Sequence, residues 1–246
     1  MANTRNLRLL TATALAGALM FAAMPADAYR VAPLVVEVEP TGTKAQSVVR
    51  VENTNEFPIT IEPKVYLRSY APDGSEKQTP ADDDFLLFPP QSVIQPGQTQ
   101  AIRMQYAGDK QITETKPYII VIEQLPVGLP GQDKSGVRVV VNFGVAVNVS
   151  PAGATSALAV AASDAGADRT IRVTFSNKGN KFASAAEAPW TITNPDGTSI
   201  RIEPDTIRQS VQNGTFIPAN SEKREVILLA PEGFTPQRGL SVKLVK

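Results

Sequence analysis

Short alternations of apolar and polar residues, separated by turn residues, run through most of the chain after residue 29. Successive side chains of a strand point to opposite faces, so this period of two predicts strands with one face on a core. Twenty Pro and sixteen Gly divide the chain into short pieces. Four clear runs have apolar positions at Ile59, Ile61, Val65 and Leu67; Ile102, Met104 and Tyr106; Ile171, Val173 and Phe175; and Leu240, Val242 and Leu244. Many short strands, frequent turns and no convincing amphipathic helix predict an all-β sandwich.

The longest alternation covers residues 137–149, where every odd position is apolar: Val137, Val139, Val141, Phe143, Val145, Val147 and Val149. As one strand this segment would be about 43 Å long. One interpretation is a core strand that bends between two sheets or continues into a linker. The other is that the domain covers only part of the apolar row, which leaves an edge that a partner's strand can join.

The N-terminus has the pattern of a secretory signal peptide. Arg5 and Arg8 precede an apolar run over residues 9–23, and Ala26-Asp27-Ala28 is a small-x-small cleavage site. A membrane anchor is the alternative, but a spanning helix needs about 20 apolar residues. We therefore expect residues 1–28 to be removed and the mature chain, which has no further spanning segment, to begin at Tyr29.

The mature chain is long enough for two domains. The sequence Ser150-Pro151-Ala152-Gly153 and the small residues that follow it indicate a boundary. We expect a first domain over residues 29–151 and a second over residues 152–246.

Composition excludes several functions. The chain has 24 Lys and Arg and 24 Asp and Glu; without residues 1–28 these become 22 and 23, a net charge of −1. Nucleic-acid and anionic-lipid partners are disfavoured, since both call for a basic excess.

The absence of Cys and His excludes Cys/His zinc sites and every Ser-His or Cys-His nucleophile. We expect neither a metal nor a cofactor and predict that the protein is not an enzyme; a glycosidase that uses two carboxylates is the remaining enzymatic alternative.

Several motifs, in this order and spacing, resemble the periplasmic pilus chaperones of the PapD type. They are Glu39-Pro40-Thr41-Gly42, Val51-Glu52-Asn53, Phe88-Pro89-Pro90, Pro96-Gly97-Gln98-Thr99-Gln100-Ala101-Ile102-Arg103, and the stretch from Tyr118 to Glu123-Gln124-Leu125-Pro126. The resemblance is strongest over residues 33–151. It implies two immunoglobulin-like domains in an L-shaped arrangement.

The resemblance also implies a function and a site. Val137, Val139, Val141 and Phe143 correspond to the family's donor strand, which completes the fold of a pilus or fibre subunit. The chain would work in the periplasm and deliver subunits to an outer-membrane usher. The alternative is that this chain is itself a structural or adhesive fibre protein, but an internal long strand suits a donor better than an acceptor.

One departure from the family concerns the anchor for the subunit's terminal carboxylate. The usual Arg and Lys of the family correspond to Val36 and Ala146 in this chain. The resemblance therefore points to the divergent archaic branch, which assembles thin or spore-coat-like fibres. Arg103 is the candidate replacement, because a guanidinium group can bind a carboxylate through two parallel hydrogen bonds.

Overall fold

The computed structural model describes residues 29–126 and 140–245, so the predicted signal peptide lies outside the described residues. The predicted fold class is confirmed: strands dominate and form two immunoglobulin-like sandwich domains, each around its own cluster of buried apolar side chains. Within the two described ranges no helix has the length and hydropathy of a transmembrane segment.

The first domain contains ten strands. They are β1 (Arg30–Ala32), β2 (Val35–Val38), β3 (Gln46–Glu52), β4 (Ile59–Tyr70), β5 (Glu76–Pro80), β6 (Phe85–Phe88), β7 (Ser92–Ile94), β8 (Thr99–Tyr106), β9 (Lys116–Leu125) and β10 (Phe143–Val149). One sheet has the order β1-β3-β8-β6, and the opposite sheet has the order β2-β10-β9-β4-β5, with β7 also paired to β4. The alternation seen in the sequence faces the core as expected: on β8, Ile102 and Met104 are buried and Arg103 is exposed.

Pro63 lies within β4, at a place where the strand is paired on one side only. On one side β4 pairs with β9 through this position, where Pro63 lies opposite Ile122. On the other side β7 pairs with residues 59–61 and β5 with residues 66–70. Among the described strands none pairs with residues 62–65 on that side. The strand is locally an edge there, which is where a residue without an N–H group is tolerated.

The second domain contains eight strands and one short helix. They are β11 (Leu158–Ala165), β12 (Thr170–Asn177), β13 (Ala183–Ser184), β14 (Trp190–Thr193), β15 (Ser199–Ile202), α1 (Pro204–Ser210), β16 (Phe216–Ile217), β17 (Ser221–Leu229) and β18 (Ser241–Leu244). The sheets have the orders β11-β12-β17, β15-β14-β18 and β13-β16. Trp190 is fully buried, and its indole N–H donates to the carbonyl oxygen of Ala185 at 2.7 Å.

Two elements of this domain differ from the sequence prediction. Helix α1 was not expected, since its seven residues bury only Ile207 and are too few to show a helical period. Strand β11 was not expected either, because its sequence, LAVAASDA, consists mainly of small residues and lacks a strong apolar alternation. β11 pairs with β12 alone, at the border of its sheet, where a strand needs fewer large apolar side chains.

The two domains are in direct contact at the end of β4. The rings of Tyr70 and Phe216 stack with centroids 4.8 Å apart. The N–H of Glu225 donates to the carbonyl oxygen of Pro72 at 2.8 Å. Arg224, which is 1% exposed, packs against the turn at Gly74. These contacts join the end of β4 and the turn after it in the first domain to β16 and β17 of the second.

Gly74 and Gly197 provide a matched pair for testing this contact. Both are in Asp-Gly turns, with φ of 90° and 88°. A Cβ on Gly74 would lie 2.2 Å from the guanidinium of Arg224, whereas a Cβ on Gly197 would meet nothing within 4 Å. We expect Gly74→Ala to lower the free energy of unfolding by about 1–3 kcal/mol more than Gly197→Ala, because only the former adds overpacking to the backbone cost. Chemical denaturation measures both; equal losses would show that the turn at Gly74 does not form a tight contact with Arg224.

Candidate functional site

Strand β10 is paired along its full length on one side and along only part of its length on the other. It is antiparallel to β9 from Phe143, opposite Ile122, to Val149, opposite Lys116. It is parallel to β2 only over residues 146–149, which lie opposite residues 35–38. The N–H of Ala146 donates to the carbonyl oxygen of Leu34 at 2.9 Å. Among the described residues no strand continues this pairing before Ala146, so residues 140–145 form an open border of the sheet.

The open border exists because the first strand segment changes sheets. β1 pairs with β3 in one sheet, and the chain then crosses at the cis peptide bond before Pro33. β2 begins at Val35 in the opposite sheet. Leu34 and Val35 are 49% and 62% exposed at this crossing. Apolar side chains therefore lie next to unpaired backbone, the combination that favours pairing with another chain.

The predicted donor-strand residues divide into two groups. Val137 and Val139 lie outside the described residues. Val141 and Phe143 are half-buried and pack against the core of their own domain. The regular strand begins at Phe143, so Val141 precedes it rather than lying within one strand from residue 137.

The remainder of the apolar row is part of the core. Val145, Val147 and Val149 are each 0% exposed, whereas Val140, on the other face, is 42% exposed. The domain thus covers the apolar row from Val145 onward completely and covers Val141 and Phe143 in part.

Three side chains hold the chain where the ladder with β9 ends. The hydroxyl group of Tyr29 is 2.7 Å from the carbonyl oxygen of Ile122 and 2.9 Å from that of Val141. The N–H of Gln124 donates to Oδ1 of Asn142 at 3.1 Å, and the N–H of Val141 donates to Oε1 of Gln124 at 3.5 Å. We call Tyr29, Gln124 and Asn142 the root cluster. None of the three was identified as a site residue from sequence, because nothing local marks a long-range contact.

Tyr29 is the buried member of the root cluster. It is 1% exposed, and its ring meets that of Phe143 edge-on with centroids 4.8 Å apart. Burial raises the pKa of the Tyr29 hydroxyl to about 12, with a smaller opposing contribution from a backbone hydrogen bond at Phe143. At neutral pH the group is therefore a neutral donor, as required to bond a carbonyl oxygen.

The two positions predicted to correspond to the family's cations bear no charge. Val36 is 6% exposed and faces the core from β2. Ala146 is half-buried and lies opposite Val35 in the parallel pair. The correspondence of these two positions to the family's Arg and Lys stays a prediction.

Arg103 is not brought together with β10. It lies on β8 in the opposite sheet, between Val48 of β3 and Phe88 of β6, and its side chain is exposed on the outer face of that sheet. Its role as a carboxylate anchor stays a prediction, and this position argues against it.

A cation from the second domain lies beside β2 instead. Nζ of Lys181 is 2.7 Å from Oε2 of Glu37, and the two side chains are 33% and 48% exposed. The same loop donates the N–H of Phe182 to Oγ1 of Thr115 at 3.2 Å. Lys181 thus lies in a cleft between the domains that Glu37, Lys44 and Ser150 also line. Sequence reasoning did not identify it because only the domain contact places it next to β2.

Comparison with solved structures identifies the architecture. The E. coli chaperone DraB matches with a TM-score of 0.51 at 16% identity, covering 89% of this chain and 96% of that chain. A chain in the Salmonella enterica complex of the SafA pilin with the SafB chaperone matches with a TM-score of 0.53 at 13% identity, covering 91% and 99%. The Acinetobacter baumannii CsuC–CsuE chaperone–tip subunit complex matches with a TM-score of 0.50 at 11% identity, covering 80% and 89%. At these identities the likeness establishes the fold.

The assignment to a family rests on a sequence match. No curated protein matches the chain. The family model described as pili and flagellar-assembly chaperone, PapD N-terminal domain, matches residues 31–155, which is 125 of the 246 residues and includes all of β2 and β10. This chain therefore belongs to the PapD-like pilus assembly chaperones.

Proposed function

We propose that this chain is a periplasmic chaperone that stabilises pilus or fibre subunits by donor-strand complementation and delivers them to an outer-membrane usher. Its first domain, residues 29–151, supplies the strand, and its second, residues 152–246, completes the cleft beside it. The observation that carries the proposal is the open border of β10 before Ala146. This border leads directly into the apolar odd positions Val137, Val139 and Val141.

The proposed mechanism uses main-chain pairing for affinity and side-chain burial for stability. A subunit strand that joins the open border gains inter-strand hydrogen bonds. Val137 and Val139, together with the exposed parts of Val141 and Phe143, complete the core of the subunit. Burying a Val or Phe side chain contributes about 1.5–3 kcal/mol, part of which is offset by the ordering of the joined segments. Exchange for another strand then releases the subunit without a nucleotide, which fits the absence of a P-loop motif from the sequence.

Membership in the chaperone family favours this function over a structural or adhesive fibre protein, and it supports a non-catalytic role. Assignment to the archaic branch stays a prediction, because the likeness to the Csu chaperone complex is at the level of the fold.

The donor segment is tested by placing charge on its two faces. We expect the double variant Val139→Asp/Val141→Asp to lower retention of a co-expressed fibre subunit at least about tenfold, because a carboxylate without a partner is costly to bury in the subunit's core. Val140→Asp changes the same segment on its exposed face and is the control, with retention expected near that of the unchanged chain. Thermal melting of each purified chaperone shows that it is folded. Undiminished retention by the folded double variant would reject the donor assignment.

The anchor for the subunit's carboxylate is tested with two cations. Because Lys181 lies in the cleft beside β2 and Arg103 on the outer face of the opposite sheet, we expect Lys181→Ala to weaken subunit binding about three- to tenfold and Arg103→Ala to change it less than about twofold. Binding is measured with one purified subunit, and the melting temperature controls for the loss of the exposed Lys181–Glu37 pair, which is worth at most about 1 kcal/mol. The reverse ranking of the two variants would restore Arg103 as the anchor.

A further inference from the structure

The contacts of the root cluster show how the chain leaves its own sheet. Main-chain pairing between β9 and β10 ends at the pair of Phe143 and Ile122. Regular pairing would continue with Asn142 opposite Glu123 and then Val141 opposite Gln124. Instead, side-chain oxygens of Gln124 and Asn142 accept the two N–H groups of this step, and the Tyr29 hydroxyl lies against the carbonyl oxygen of Val141. The chain at residues 141–142 is therefore held without continuing the ladder.

Tyr29 is suited to fix this point. Its side chain is almost fully buried, so its hydroxyl has one position relative to the core. That hydroxyl lies within hydrogen-bonding distance of one carbonyl on β9 and one on the departing segment. A single group therefore bridges the end of β9 to the start of the segment, and the Phe143 ring fixes its orientation.

We propose that Tyr29, Gln124 and Asn142 act as positioning residues that set the register of the donor segment. The inference rests on the proposed function, because it concerns how residues before Val141 meet an extended segment of a fibre subunit. A slip of one residue turns every side chain to the other face of a strand. By fixing residues 141–142, the root cluster sets which face of this segment, that of Val141 or that of Val140, meets the partner.

Amide hydrogen exchange on the full chain tests the root cluster without a partner. Tyr29→Phe removes the hydroxyl and keeps the ring against Phe143. Tyr118→Phe is the matched control, since Tyr118 is also fully buried in this core and its hydroxyl donates to Oδ2 of Asp84 at 2.7 Å, away from residues 141–142. We expect Tyr29→Phe to accelerate exchange of the Val141 and Gln124 amides about three- to tenfold and Tyr118→Phe to change it less than about twofold. Equal behaviour of the two variants would overturn the positioning role.

A second pair of variants tests whether the side-chain oxygen of Asn142, as a hydrogen-bond acceptor, is what slows exchange of the Gln124 amide. Asn142 is exposed, so its replacement leaves the core intact. Asn142→Ala removes the acceptor for the Gln124 N–H and is expected to accelerate its exchange by a similar factor. Asn142→Asp replaces the amide oxygen with a carboxylate oxygen, which is also an acceptor, and is expected to keep exchange slow. Equally fast exchange in both variants would contradict a role for the Oδ1 acceptor.

A binding experiment then tests whether the root cluster affects the interaction with the partner. The probe is a fibre subunit that lacks its own last strand, co-expressed with each full-length variant. We expect Tyr29→Phe to retain about three- to tenfold less subunit than Tyr118→Phe at similar melting temperatures. Equal retention would overturn the positioning role even if exchange changes. If the unchanged chain retains no subunit, the proposed function fails, whereas the exchange ratios still decide whether the cluster fixes residues 141–142.

Discussion

Within the described part of the chain, the first part of β10 has no strand partner on one side, and this is the constraint on which the rest of the structure depends. Every strand carries N–H and C=O groups that must find partners, and β2 provides them only over residues 146–149. Because apolar side chains lie beside it, a border of this kind favours pairing with another chain.

The strands with strong alternation follow directly from the sequence. β8 and β12 bury the apolar positions that the pattern predicts, because inward and outward faces alternate along any strand. β11 could not be predicted in the same way, since Ala and Ser residues fit either face. Just before β10 begins, the Tyr29 hydroxyl group lies 2.9 Å from the carbonyl oxygen of Val141, 112 residues away in sequence. No local pattern contains that information.

For the site residues, too, the sequence predicts some features and tertiary packing determines the others. Alternation indicates that Arg103 points outward, and the structure agrees, but the pattern does not say to which of two sheets the strand belongs. That choice places the side chain on the sheet opposite β10. Lys181 is the converse case, a residue of unremarkable sequence context that the contact between domains brings to Glu37. The sequence thus determines which way a side chain faces, whereas tertiary packing determines what it meets.

The position of the crossing at Pro33 determines how many residues of β10 are paired with β2. A single short stretch serves as the border strand of one sheet up to Ala32 and of the other from Val35. Each residue by which the crossing moves toward the C-terminus would uncover one more residue of β10, and each residue in the opposite direction would cover one. Under the proposed function, the position of this turn, on a different strand, therefore sets the length of chain that a subunit strand can join.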